Sequence, residues 1–173
     1  MPRDAPHRYR FRPVVEDDLP MIGVWLERPH VAEWWDDEDD KLVEIRAAMA
    51  EASTQPFIVE LAGRPIGYIQ CYDPHLEEDH PYRDQPKGTI GIDQFIGEPE
   101  LVGIGHGSQL VAAFVDSLFC QGAPRVIIDP DPANARAIRA YEKAGFRPFD
   151  YRSSIYGHAL MMARDAPDRD IQE

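Results

Sequence analysis

The sequence predicts a single α/β domain, an α+β mixed sheet with helices on both faces, in the order β-α-α-β-β-β-α-β-α-β-β. Three observations carry this. First, short β-rich segments such as Phe57–Leu61 and Ile66–Tyr72 are interleaved with stretches that repeat at helical spacing, such as Leu110, Val111, Phe114, Val115 and Leu118. Second, Arg125-Val126-Ile127-Ile128-Asp129 is nearly all apolar, as expected of a central strand buried on both faces. Third, 173 residues suit one domain with its own core, and the 16 prolines are scattered at segment edges rather than gathered into a hinge. The domain is expected over residues 8–164, with residues 1–7 and 165–173 as flexible termini.

Tyr9-Arg10-Phe11-Arg12 alternates and ends at Pro13, which fits a first strand. Asp17-Asp18-Leu19-Pro20 reads as a helix start, and that helix stops near Pro29. The acidic run Asp36–Asp40 precedes Leu42, Ile45, Met49 and Ala52 at helical spacing, and Pro56 is read as ending that helix. Ala62–Pro65 joins Phe57–Leu61 to Ile66–Tyr72 as a hairpin. Asp73–Pro86 is polar and long for a plain connection, so it is a candidate lid or substrate loop. Thr89–Ile96 is the next strand, and a glycine segment leads into the Leu110–Leu118 helix. Ala133–Ala144 is a helix, with Asn134 as N-cap and Gly145 as the residue after its end. Phe146–Arg152 and Ala159–Arg164 close the sheet.

Composition excludes several classes. A hydrophobic share of 43% and a charged share of 28% are those of a globular protein, which argues against disorder. The net charge of −13 argues against a nucleic-acid partner, which needs basic patches. That charge serves either as a solubility surface or, in part, as the lining of a site for a cation. Cys71 and Cys120 form neither a disulfide framework nor a zinc pattern. No metal is expected. No apolar run approaches a membrane span, and no h-region follows Met1-Pro2-Arg3-Asp4, so a cytoplasmic protein is expected.

Gly103-Ile104-Gly105-His106-Gly107-Ser108 follows a strand and opens a helix. Glycines let the backbone approach a ligand, and the first helical N–H groups point outward without partners. Such a terminus binds phosphate, although a lone glycine triplet also serves as a plain tight turn. A Walker A loop would need Lys-Ser/Thr where Ser108-Gln109 stands. A Rossmann fingerprint would open the first βαβ unit, with an acidic residue about 20 positions on.

Downstream, Asn134-x-x-Ala137-x-x-x-Tyr141-x-x-x-Gly145-Phe146 completes a pattern. Paired with the glycine loop, it resembles the GNAT superfamily of N-acetyltransferases. Trp25–His30, Glu33-Trp34-Trp35, Pro65–Gln70, Gly91-Ile92-Asp93-Gln94 and Asp129–Phe146 look most like the aminoglycoside 6′-N-acetyltransferases. The resemblance implies the GNAT fold and acetyl-CoA as cosubstrate. The implied coenzyme contacts are Gly103, Ile104, Gly105, His106, Gly107, Ser108, Asn134, Arg136 and Ala137, together with backbone amides near Phe95 and Ile96. His106 reads as a loop residue rather than a base. One departure stands out: Val102 occupies a position that is usually Arg or Gln. A side-chain phosphate contact is therefore missing.

Acetyl transfer needs a neutral amine, a donor for the oxyanion and a proton for the departing thiolate. The resemblance puts Tyr141 beside the sulfur as the acid; taken alone, it would be a helix-face aromatic packed on the sheet. Asp93 is a carboxylate in an otherwise apolar strand, costly unless partnered. The resemblance implies that it holds the amine and helps remove its proton; taken alone, it would be an edge or surface-facing aspartate. An ordinary aspartate of pKa about 4 is a poor base for an ammonium of pKa about 9–10, so action through water or simple orientation is expected. Asp129 ends the central strand, either as a second anion for the substrate or as a turn leading into the helix. Glu33, Trp34 and Trp35 suit a polycationic sugar by charge and stacking, or else pack two short helices. Tyr68, Gln70 and Tyr72 alternate on one strand face and line the same cleft.

The first expectation is acetylation of the 6′-amine of an aminoglycoside or a similar cationic small molecule. Hydroxylysine-type N-acylation in siderophore synthesis, and acetylation of a polyamine or peptide amine, are alternatives in the same fold. A non-catalytic coenzyme sensor or interaction domain is a reading of another class, and Val102 is its best argument. No nucleic-acid or membrane partner is expected, and the chain is expected to be a monomer or homodimer.

Overall fold

The computed structural model describes residues 8–35, 38–154 and 157–168. In chain order the elements are β1 (Tyr9–Pro13), α1 (Leu19–Glu27), the one-turn α2 (Pro29–Ala32), α3 (Glu38–Ala48), β2 (Thr54–Leu61), β3 (Arg64–Tyr72), β4 (Ile90–Ile96), α4 (His106–Cys120), β5 (Arg125–Ile128), α5 (Ala135–Lys143), β6 (Arg147–Ser154) and β7 (Gly157–Asp165). The predicted order holds, with α2 as an added short helix. Asp36 and Asp37 of the acidic run lie outside the described residues, as do residues 1–7 and 169–173 of the expected flexible termini. Strand β7 itself runs through Asp165, whose carboxylate pairs with Arg125 at 2.9 Å.

Local chemistry sets the boundaries. Helix α1 stops because Arg28 precedes Pro29 and is forced to extended backbone, with ψ 135°. Ala62 and Gly63 both have positive φ, 51° and 80°, which makes the tight turn between β2 and β3. Gly145, at φ 97°, ends α5. The Phe146 N–H reaches back to the Tyr141 carbonyl and the Gly145 N–H to that of Glu142, the paired bonds of a Schellman end. Pro56 does not end α3, which stops at Ala48. It lies inside β2 opposite Gln70. Strand β1 has already ended there, at Pro13 opposite Phe57, so the missing Pro56 N–H leaves no ladder partner unpaired.

Seven strands among the described residues form one sheet in the order β1-β2-β3-β4-β5-β7-β6. Helices α4 and α5 cover one face through Leu110, Val111, Phe114 and Tyr141, joined by Phe146 just past the end of α5. Helices α1 to α3 cover the other through Ile22, Trp25, Val31 and Ile45, against Ile58, Tyr68 and Phe95. A smaller cluster of Tyr72, Tyr82, Ile127, Met161 and Ala163 lies beside it, under loop 73–89.

The sheet is split at its centre. Strands β4 and β5 are parallel and pair only at Ile90–Val126 and Gly91–Ile127. Beyond Gly91 the two strands part. The pleat of β4 sends Asp93 and Phe95 to the α1–α3 face, and Ile92, Gln94 and Ile96 to the α4–α5 face. The split therefore joins the two faces of the sheet.

Candidate active site

On one face of the split, Asp93 and Asp129 come together. Asp93 stands on β4 opposite Gln70 of β3, and Asp129 directly follows β5. Their carboxyl groups are close enough to share a hydrogen bond, and both residues are half-buried. Each also has one neutral donor. The Gln70 Nε2 donates to Asp93 Oδ2 at 3.0 Å, while Tyr82 Oη donates to Asp129 Oδ2 at 2.5 Å. Behind Gln70, the Tyr68 hydroxyl donates to its Oε1 at 2.6 Å. Tyr68 is thus a buried support for this network, packed parallel to the Phe95 ring, rather than a free wall of a cleft. Tyr72 lies over Gly91, where any Cβ would overlap its ring, so glycine is required at that point of β4.

Burial raises the pKa of both aspartates, because the charged forms lose water. Asp129 is pushed up to about 7, first by burial and then by the charge of Asp93. Lys41 of α3 and His80 of loop 73–89 act in the opposite sense on Asp93. Two like charges this close cannot both be comfortable without a cation. The pair is an acid in waiting or a seat for an ammonium group.

On the other face, Tyr141 of α5 is buried, and its hydroxyl accepts from Gln94 Nε2 at 3.0 Å. That bond leaves the phenol's own proton free to donate. Burial pushes its pKa up to about 12, so the phenol stays protonated at neutral pH. Gln94 Oε1 is buried and has no partner.

The glycine loop lies at the end of the split. Gly103 and Gly105 take φ 77° and 98°, and α4 begins at His106. Both α4 and α5 start beyond the carboxyl ends of the strands that precede them, β4 and β5, where α/β sheets gather anionic ligands. The loop's backbone and the first N–H groups of α4, from His106 to Ser108, are the groups suited to phosphate. The His106 side chain does not face the loop; it is buried, with Nδ1 2.7 Å from the Tyr9 hydroxyl of β1. Asn134 caps α5, its Oδ1 accepting from the Ala137 N–H at 3.2 Å, so neither that side-chain oxygen nor that amide is free for a coenzyme. The Phe95 ring fills the α1–α3 core. The Gly97 N–H bonds the Ile66 carbonyl, so strand alternation turns the Phe95 amide toward β3 as well and leaves the Ile96 amide on the split side. Arg136 stands exposed in the first turn of α5, and Ile104 is exposed.

The tryptophan pair divides. Trp35 packs edge-on against Phe95 and Tyr68 at 4.9 and 6.1 Å, with the Lys41 ammonium 5.7 Å from its ring centre. Trp34 is 37% exposed, and Glu33 is exposed beside it in the turn after α2. Sequence reading missed Tyr82, His80, Lys41 and Arg152, and gave Gln94 no role although it quoted the residue. Loop 73–89 has no periodicity that could have singled out Tyr82.

Comparison with known proteins agrees with this geometry. Residues 14–152 match the acetyltransferase (GNAT) domain family, and the chain belongs to that family. It is therefore an N-acetyltransferase. The aminoglycoside N(6′)-acetyltransferase type 1 of Klebsiella pneumoniae is 38% identical over 163 residues, covering 89% of this chain and 81% of that protein. A lysine N-acyltransferase of Mycolicibacterium paratuberculosis is 27% identical over 158 residues, covering 88% and 72%. Among solved structures, AAC(6′)-Ib with coenzyme A and kanamycin superposes with a TM-score of 0.82 at 36% identity, covering 91% of this chain and 94% of that one. Among the described residues no helix is long and apolar enough to cross a membrane, and no group of three or more His, Cys, Asp or Glu could hold a metal.

Proposed function

We propose that this chain transfers the acetyl group of acetyl-CoA to a primary amine of a cationic small molecule, the 6′-amine of an aminoglycoside. The observation that carries this is the half-buried Asp93–Asp129 pair at the mouth of the β4–β5 split, with Tyr141 on the opposite face. The likeness to aminoglycoside 6′-acetyltransferases supports the choice of amine.

In this reading the carboxyl pair attracts the ammonium group and takes its proton. Burial alters the energetics of that step. Against an ammonium of pKa about 9.5, a carboxyl at about 4 makes proton removal cost roughly 7 kcal/mol, and one at about 7 only roughly 3 kcal/mol. A direct role as base is then affordable for the pair, where a solvated aspartate would need water as intermediary. The freed nitrogen attacks the thioester carbon. The carbon–nitrogen bond forms, the carbon–sulfur bond breaks, the thiolate takes the Tyr141 proton, and the second proton shed by the attacking nitrogen returns to Tyr141 through solvent. The Ile96 amide is assigned to the thioester oxygen and pantetheine arm. The loop from Gly103 to Ser108 and the first turn of α5 at Arg136 are assigned to the phosphates. Glu33 and Trp34 are assigned to the outer rings of the acceptor. Val102 removes a phosphate contact but leaves these backbone donors, so it does not favour a non-catalytic sensor. The reaction is placed in the cytoplasm, in keeping with two free cysteines.

A second reading is N-acylation of a lysine-type side chain, favoured by the lysine N-acyltransferase likeness over 88% of the chain. The test is thiol release from acetyl-CoA with kanamycin-type aminoglycosides, hydroxylysine and polyamines in parallel. Turnover confined to the aminoglycosides is expected. Turnover with hydroxylysine alone would replace the first reading by the second.

A further inference from the structure

Loop 73–89 contributes no strand to the sheet, yet it sets a buried side chain on the acid pair. Tyr82 is 8% exposed, and its ring packs with Tyr72, Ile127 and Met161. Its hydroxyl occupies Asp129 Oδ2. The loop is held on both sides of Tyr82 by one residue from β6. Arg152 Nη1 donates to the Pro81 carbonyl at 3.0 Å, and Nη2 pairs with Asp84 Oδ2 at 2.6 Å. The guanidinium also lies 5.3 Å from the Tyr82 ring centre, and its Nε is fixed by Asp150 at 3.0 Å. A planar guanidinium with three such directed partners has little freedom left.

We infer that Tyr82 is a positioning residue for the acceptor amine, acting through Asp129, and that Arg152 is the clasp that holds it there. This rests on the reading of Asp93 and Asp129 as the acceptor's carboxyl pair. A carboxylate that must receive an ammonium group has to present one oxygen and keep its plane fixed. Tyr82 occupies the other oxygen and does both. It matches Gln70 on Asp93, so each carboxyl keeps one neutral donor and one side for its neighbour or the substrate. The groups that act on Asp129 are Asp93 from β4 and Tyr82 from the loop. Tyr72 of β3 and Tyr141 of α5 feel its charge in turn. Arg152 acts on Tyr82.

The test compares full-length Tyr82→Phe, Arg152→Gln and Asp129→Asn in pH profiles of kcat/KM for a kanamycin-type acceptor, with KM for acetyl-CoA and thermal melting alongside. Removing the hydroxyl removes a hydrogen bond that favours the Asp129 carboxylate. The carboxyl then keeps its proton to higher pH, so the acid limb of the profile moves upward. Tyr82→Phe is expected to lower kcat/KM for the amine about tenfold and to leave KM for acetyl-CoA unchanged. Arg152→Gln is expected to raise the amine KM several-fold and to move the acid limb in the same direction as Tyr82→Phe, but by less. A wild-type acid limb and amine KM in Tyr82→Phe, with Asp129→Asn inactive, overturns the inference and spares the acceptor-site reading. So does a loss that falls equally on both substrates with a lowered melting point. Full activity in Asp129→Asn removes the acceptor-site reading itself, and the inference with it.

Discussion

The proposed coenzyme half of the site and the proposed acceptor half are built from different materials. The coenzyme half is mostly backbone: two positive-φ glycines, the first turn of α4 and the capped start of α5. The acceptor half is side chains from three strands' worth of chain and one loop: Gln70, Asp93, Asp129 and Tyr82. Backbone donors recognise a phosphate wherever a helix begins, and they tolerate changes in side chain such as Val102. Buried carboxylates work only as a set, because each depends on its neighbours for charge and hydrogen bonds. The first half should bend under mutation and the second should break.

The sharpest test of that division is Asp93→Asn. The amide cannot take a proton and carries no charge for the ammonium. A loss of roughly 100-fold or more in kcat/KM for the amine is expected, with KM for acetyl-CoA within about twofold. Neutralising one of two buried like charges also relieves their repulsion, so the melting temperature should rise as activity falls. Unchanged turnover would remove Asp93 from the chemistry. On the proposed coenzyme side, Gly105→Ala has room for its Cβ, with Gln109 Nε2 at 3.6 Å as the nearest neighbour, so the cost comes from φ 98° alone. That strain is on the order of 1–2 kcal/mol. If the loop shifts to relieve it, KM for acetyl-CoA should rise about fivefold to tenfold, with kcat at saturation and the amine KM kept. An effect on the amine KM instead would merge the two halves.

The same contrast explains what the sequence disclosed. The element order, the hairpin turn, the N-cap and the Schellman end were all legible, because each depends on residues within a few positions of one another. The glycine loop and the Asn134–Phe146 pattern were legible for the same reason. Asp93 stood out as a carboxylate in an apolar strand. What could not be read was its company. Tyr82 reaches Asp129 from 47 positions away, and Arg152 reaches Asp84 from 68. Nothing in a polar loop marks such partners in advance. The inward turn of His106 was hidden likewise, since it depends on Tyr9 at the far end of the chain, 97 positions away. Pro56 was misplaced because a proline reads as a stop, and only the early end of β1 makes it harmless inside a strand.

The smallest expected effect falls on the residue that belongs to both local structure and the proposed coenzyme site. Asn134 Oδ1 caps the Ala137 N–H, which gives it a structural task independent of any ligand. Asn134→Ala should therefore cost about 1 kcal/mol of stability, the ordinary worth of an N-cap. In a domain of this size that lowers the melting temperature by about 2–4 °C. If capping is its whole role, KM for acetyl-CoA will stay within about twofold, and Asn134→Asp, which keeps a capping oxygen, will restore the melting temperature. A rise in KM for acetyl-CoA that Asn134→Asp fails to restore would mean that its amide nitrogen also meets the coenzyme. That result would place one side chain, besides Tyr141, in the half of the site that otherwise relies on backbone.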